Sequence, residues 1–171
     1  MNASSPPPAR IPGSGDGWAA GPGGRRVWGL HGAAGLFLLA RVDGALSVLL
    51  QLRAGWTNQG GTWGIPGGAR DTGETAVEAA VREASEECGL NATDIEVLWS
   101  GVTSGPVEPG GWTYTTVIAR TRSGEALATH ANEESEELRW VPLDDVHKLK
   151  LLGAFGESLP AIIERVRSLH G

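Results

Sequence analysis

The chain has 171 residues, a formal net charge of −6 and a single cysteine, Cys88. That length supports one domain with a sizeable core, and the acidic balance argues against a general nucleic-acid binder, because phosphate backbones are held by basic surfaces. One cysteine excludes an intramolecular disulfide and fits a reducing compartment. With no run apolar enough to span a bilayer and no secretory apolar stretch at the N-terminus, the expectation is a cytoplasmic protein without membrane contact.

Residues 1–26 are dominated by Pro, Gly and Ser. They bury too little surface to offset their ordering entropy, which predicts a flexible tail ahead of a domain over 27–171. Val27 to Arg41 is apolar and rich in small side chains, and reads as a buried strand. Asp43-Gly44 signals a hairpin, and Leu46 to Arg53 returns as the partner strand. His31, near a strand start, reads as a hydrogen-bonded structural residue more readily than as a ligand. Ala54 to Thr62 is a polar, glycine-rich loop, and Trp63 to Ile65 a short strand. Beside that loop Arg53 could meet a phosphate. Trp56 either stacks on a base, a contact of about 1–3 kcal/mol, or folds onto its own loop.

Gly64, Pro66, Gly67, Gly68 and Gly73 then make a tight loop whose backbone can approach a metal or phosphate closely. Thr75 stands three residues before Glu78, the capping-box spacing. Good helix formers follow, and Gly89 stops the run. Val77, Ala80, Val81, Ala84 and Cys88 share one apolar stripe. Glu83, Glu86 and Glu87 share another face at i, i+3, i+4. Like charges so spaced repel by roughly 0.2–0.5 kcal/mol per pair, and a hard divalent cation turns that repulsion into attraction. The alternative is an acidic solvated face, against which the flanking glycines weigh.

Ile95 to Val102 reads as a strand, Thr103 to Gly111 as a loop, and Trp112 to Arg120 as a strand of alternating β-branched and aromatic residues. Arg122 to Glu134 is polar and predicts a loop. Glu137 to Pro142 is a short strand and Asp144 to Leu152 a short helix or turn. Ser158 to His170 is an amphipathic helix with Leu159, Ile162, Ile163 and Val166 on one face and Pro160 in its first turn. Strands and two main helices in this order predict an α/β sandwich.

Gly68, Glu74 and the run Arg82-Glu83-Ala84-Ser85-Glu86-Glu87-Cys88-Gly89-Leu90 together resemble the Nudix hydrolase signature, G-x5-E-x7-R-E-U-x-E-E-x-G-U. Every fixed position matches; Ala84 stands where a larger aliphatic is usual, a departure that bears on packing. Trp63 to Gly68 resembles the family's lead-in, and the strand pattern extends the likeness from about Gly32 to the C-terminus. The resemblance implies an α/β/α sandwich with a mixed central sheet and a loop–helix–loop box. It also implies metal-dependent cleavage of a pyrophosphate bond in a nucleoside diphosphate derivative. Carried over residue by residue, Glu83, Glu86 and Glu87 ligate Mg²⁺ or Mn²⁺, with the Gly67 carbonyl completing the shell. Water attacks phosphorus and a carboxylate takes its proton.

Glu83 is one candidate for that base. The segment Glu134-Ser135-Glu136-Glu137-Leu138 resembles the loop that supplies the base in several relatives, and Glu137 is favoured within it. Arg82 is expected to orient the box carboxylates. Glu74 is assigned to the substrate side as a loop-organising or outer-shell carboxylate, and Arg53 and Trp56 fall where the family's substrate pocket is bordered. The first-choice substrate is a nucleoside triphosphate such as 8-oxo-dGTP, on the likeness of the compact domain and the Glu137 segment. ADP-ribose or another nucleoside-diphosphate sugar is the rival, through Pro106, near where ADP-ribose-cleaving relatives carry a proline. A nucleotide-sensing module without turnover is the third reading, against which the intact carboxylates stand. Relatives are monomers or homodimers, and both remain open.

Overall fold

The computed structural model describes residues 18–20, 26–28 and 31–170. β1 (Trp18–Ala20) pairs antiparallel with β2 (Arg26–Trp28), so a short ladder interrupts the expected tail; the rest of that tail lies outside the described residues. The single strand expected from Val27 is two, because Gly32 takes a φ of 92° and β3 (Ala33–Val42) starts beyond it. Asp43 and Gly44 both hold positive φ, 50° and 81°, as the central residues of a two-residue hairpin must. They pass the chain to β4 (Ala45–Arg53).

β5 (Trp63–Gly64) and β6 (Gly67–Ala69) follow. The box glycines therefore form a strand where a loop was expected: Gly67 pairs with Gly35 and Gly68 with Ala34. A Cβ on Gly67 would fall on the Ala34 carbonyl, so only glycine allows β6 to lie this close to β3. α1 (Ala76–Cys88) then begins at a Thr75 N-cap with both capping-box hydrogen bonds present and ends at Gly89, whose φ is 68°. β7 (Ile95–Ser104), β8 (Tyr114–Glu125), β9 (Ser135–Pro142) and α2 (Gly153–His170) complete the domain. β8 runs five residues past its expected end at Arg120. α2 starts five residues before its expected Ser158, so Pro160 lies inside the helix, where it has no N–H for the preceding turn.

The seven-stranded sheet runs β5-β4-β3-β8-β7, with β6 also on β3 and β9 also on β4. β3 and β8 are parallel and the other pairs antiparallel, so the sheet is mixed. Ala33 to Ala40 is buried without a break, because helices cover both faces and alternation has no wet side to show. On one face Ala34, Leu36, Leu38, Leu49 and Val117 pack with Ala79, Ala80, Ala84 and Cys88 of α1. On the other, Phe37, Leu39, Val48, Leu50 and Ile118 pack with Phe155, Leu159, Ile162 and Val166 of α2. The small α1 side chains, Ala84 among them, let that helix ride close to the sheet beside β6.

Candidate active site

β6 and α1 face each other with glycine on one side and glutamate on the other. The Gly67 N–H donates to Glu87 Oε2 at 2.8 Å. A Cβ on Gly68 would come within 2.7 Å of the Glu83 carboxyl carbon, so the missing side chain at Gly68 is what leaves Glu83 room. Glu87 is only 4% exposed, and Glu86, one residue earlier on the helix, is exposed.

Arg82 organises the cluster with every arm of its guanidinium. Its Nε and Nη2 grip both oxygens of Glu74, at 2.7 and 2.9 Å, and Nη2 also donates to the Ala69 carbonyl at 3.1 Å. Its Nη1 donates to Glu83 Oε1 at 3.0 Å and Glu86 Oε2 at 3.4 Å. Such a planar fork suits carboxylate pairs in a way Lys cannot. Glu74 also accepts the Asp71 N–H at 3.0 Å, and its carbonyl takes two donors from Arg70. Its carboxyl is thus fully used inside the loop, and Arg82 holds it below the usual carboxylate range. Both Glu74 oxygens are engaged by Arg82 and the Asp71 N–H within the loop.

The C-terminus of α1 draws in a fourth carboxylate. The last carbonyls of a helix have no partners of their own; here His130 N–H donates to the Cys88 carbonyl at 2.8 Å and Asn132 N–H to the Glu87 carbonyl at 3.2 Å. Asn132 Oδ1 then accepts the Glu134 N–H at 3.0 Å, an Asx turn that leaves the Glu134 carboxyl near Glu87. Burial, then Glu134 and Glu83, push Glu87 up to about 10. Burial pushes Glu83 up to about 7 against the pull of Arg82, with Glu86 and Glu134 adding repulsion.

Glu137, favoured from the sequence, is not in this group. It stands opposite Leu52 on β9 and pairs with Arg139 Nε at 2.6 Å. Leu138 and Trp140 pack toward α1, so strand alternation sends Glu137 to the opposite face of the sheet. β9 starts at Ser135, two residues earlier than its apolar pattern suggests, which leaves Glu134 just ahead of the strand.

On the substrate side, Arg53 donates from Nε to the Asn58 carbonyl at 2.9 Å. Trp56 is 73% exposed, with its indole N–H on the Glu133 carbonyl at 3.2 Å. It is therefore not folded onto its own loop. The sequence did not single out Tyr114, whose hydroxyl occupies the space a Cβ on Gly35 would need; burial, with Glu87 nearby, pushes its phenol up. His31 meets Thr72 Oγ1 at 3.1 Å, in keeping with a structural role. Burial pushes the Cys88 thiol up to about 12, which leaves it unreactive at neutral pH.

Among the described residues no three His, Cys, Asp or Glu side chains already stand as a metal-ligand set. Glu83 is held by Arg82 and Glu87 by Gly67. The donors are nonetheless those a hard cation takes, carboxylate oxygens crowded enough to retain protons at neutral pH. A cation relieves that crowding by displacing the proton, and on this ground the residues fit one.

A helix bearing clustered carboxylates packs against a glycine strand, on a mixed sheet between two helices. The sequence model described as NUDIX domain matches residues 29–161, and the chain belongs to the Nudix family; it is a Nudix hydrolase. It is 51% identical over 158 residues to a Mycobacterium tuberculosis protein named "Putative 8-oxo-dGTP diphosphatase 3", covering 89% of this chain and 72% of that one. It is 43% identical over 168 residues to a Bifidobacterium longum nucleoside triphosphate pyrophosphatase/Nudix hydrolase fusion protein, covering 96% of this chain and 34% of that one. The crystal structure of the Nudix hydrolase RenU from M. smegmatis superposes with a TM-score of 0.83 at 48% identity, over 90% of this chain and 96% of that one.

Proposed function

We propose that the enzyme hydrolyses a nucleoside triphosphate to the monophosphate and pyrophosphate with a divalent cation, Mg²⁺ or Mn²⁺, and that 8-oxo-dGTP is its first substrate class. The observation that carries the reading is the placement of Glu83 and Glu87 against the Gly67–Gly68 backbone, with Glu134 near Glu87. The name of the M. tuberculosis relative supports the substrate. In this reading Glu83, Glu86 and Glu87, with the Gly67 carbonyl, hold the cation. When bound, it neutralises charge on the phosphate oxygens.

The chain's own residues supply the rest. Glu134 replaces Glu137 as the base: its carboxylate accepts the proton of the attacking water as the oxygen bonds to phosphorus. Glu83, tied to Arg82 Nη1, is the poorer acceptor. Arg82 and Glu74 keep the box carboxylates aimed at the cation and away from each other. Arg53 has guanidinium donors beyond Nε for phosphate oxygens, and the exposed face of Trp56 takes the base. The single, buried Cys88 fits a reducing, cytoplasmic setting.

Glu87→Gln tests the assignment. The amide keeps the Gly67 contact but is a poor cation ligand. Turnover should fall about 100-fold or more, as loss of a catalytic group commonly does, and calorimetric Mg²⁺ binding should weaken while the circular-dichroism spectrum is unchanged. Turnover and Mg²⁺ affinity equal to the parent would remove Glu87 from the metal site.

A further inference from the structure

Two loops meet beside the carboxylates, and three hydrogen bonds hold them together. Ala54 N–H donates to the Glu134 carbonyl at 2.9 Å. Gly55 N–H donates to Glu136 Oε1 at 3.0 Å. The Trp56 indole N–H donates to the Glu133 carbonyl at 3.2 Å. Residues 54–62 are also wired internally. The Ala54 carbonyl accepts from Thr57 N–H at 3.0 Å and Thr57 Oγ1 at 2.6 Å. Thr62 Oγ1 donates to the Gln59 carbonyl at 2.6 Å, and Arg53 reaches the Asn58 carbonyl. These bonds tie the loop to itself; it carries Trp56 and follows directly on Arg53 at the end of β4.

We propose that Glu136 is a positioning residue: by accepting the Gly55 N–H, its carboxylate couples the loop that meets the nucleoside triphosphate to the placement of Glu134. The inference rests on reading Glu134 as the base. Of the three ties, the Glu136 bond is the one made by an acidic side chain, and it joins the substrate loop to the strand residue two past Glu134. Without it, the Ala54 and Trp56 bonds remain, alongside the β4–β9 pairing of Arg53 with Ser135, and the side-chain tie is lost. Glu136 is itself exposed and turned to the Gly55 amide, so it acts through Glu134 and not on the reacting atoms.

The test is a kinetic cycle with 8-oxo-dGTP and Mg²⁺ on Glu136→Ala, Glu136→Gln, Glu134→Gln and the Glu134→Gln/Glu136→Ala double variant. Loss of a charge-assisted hydrogen bond predicts a kcat about tenfold lower in Glu136→Ala, with less change in KM. Glu136→Gln, whose amide oxygen still accepts, should stay within about twofold of the parent, and Glu136→Ala should lower the residual rate of Glu134→Gln by less than about twofold, because coupled residues are not additive. A parent-like kcat in Glu136→Ala, equal impairment of Glu136→Gln, or a full tenfold loss in the Glu134→Gln background overturns the coupling alone. Parent-like turnover by Glu134→Gln overturns the base assignment, and the coupling with it.

Discussion

Glu83 reaches its place because Gly68 has no side chain and Arg82 pins its Oε1 from the other side. Pinned, it cannot swing clear of an added methyl. Gly68→Ala should therefore lower kcat/KM about tenfold or more, since small displacements of catalytic groups cost that much, with a melting temperature close to the parent's. The base assignment makes a paired prediction. Glu134→Gln should lower kcat about 100-fold or more, and Glu137→Gln, which breaks only the exposed pair with Arg139, should stay within about twofold because such pairs contribute little. Comparable losses in the two variants would return the base to β9.

Protonation gives a further prediction. A carboxyl whose folded pKa lies above its ordinary 4.5 keeps a proton that the unfolded chain releases. Stability then falls as pH rises above about 4.5, through about 7 for Glu83 and onward toward about 10 for Glu87. In chelator the melting temperature should drop from pH 5 to pH 8, and added Mg²⁺ should restore more of it at pH 8 than at pH 5. A metal-free melting temperature that rises over this range would mean the carboxylates are not crowded.

At the level of elements, α1 is fixed at both ends by local chemistry. Removing the Thr75 hydroxyl (Thr75→Ala) should cost about 1 kcal/mol, or roughly 2–4 °C in a domain of this size, read by thermal unfolding. This helix was legible because its caps and period lie within a short stretch: Thr75, Glu78 and Gly89 behave as their spacing implies. Elements whose limits depend on distant neighbours were not. β8 runs on to Glu125 because its polar end is carried past Arg120, with Thr121 opposite Ile95 and Thr121 Oγ1 bonded to the Glu125 carbonyl. α2 tolerates Pro160 because packing of Phe155 and Leu159 on the sheet outweighs a missing helical N–H. Gly67 and Gly68 form a strand because β3 offers them an edge, which no local rule reveals.

At the scale of the molecule, the proposed site draws on segments distant in sequence. In that proposal β6 supplies backbone, α1 the ligands, residues 130–136 the proton acceptor, and residues 53–62 the substrate contacts. The box was readable as a motif because its residues are contiguous. Glu134 was not, because its approach to Glu87 depends on the helix-end carbonyls that His130 and Asn132 satisfy. The substrate was not legible either: Pro106 suggested ADP-ribose, while the compact domain and the Glu137 segment suggested a triphosphate. Product analysis with Mg²⁺ on 8-oxo-dGTP and ADP-ribose side by side tests the central claim most directly. The account predicts 8-oxo-dGMP and pyrophosphate from the triphosphate, abolished in Glu87→Gln. AMP from ADP-ribose with the triphosphate left intact would contradict it.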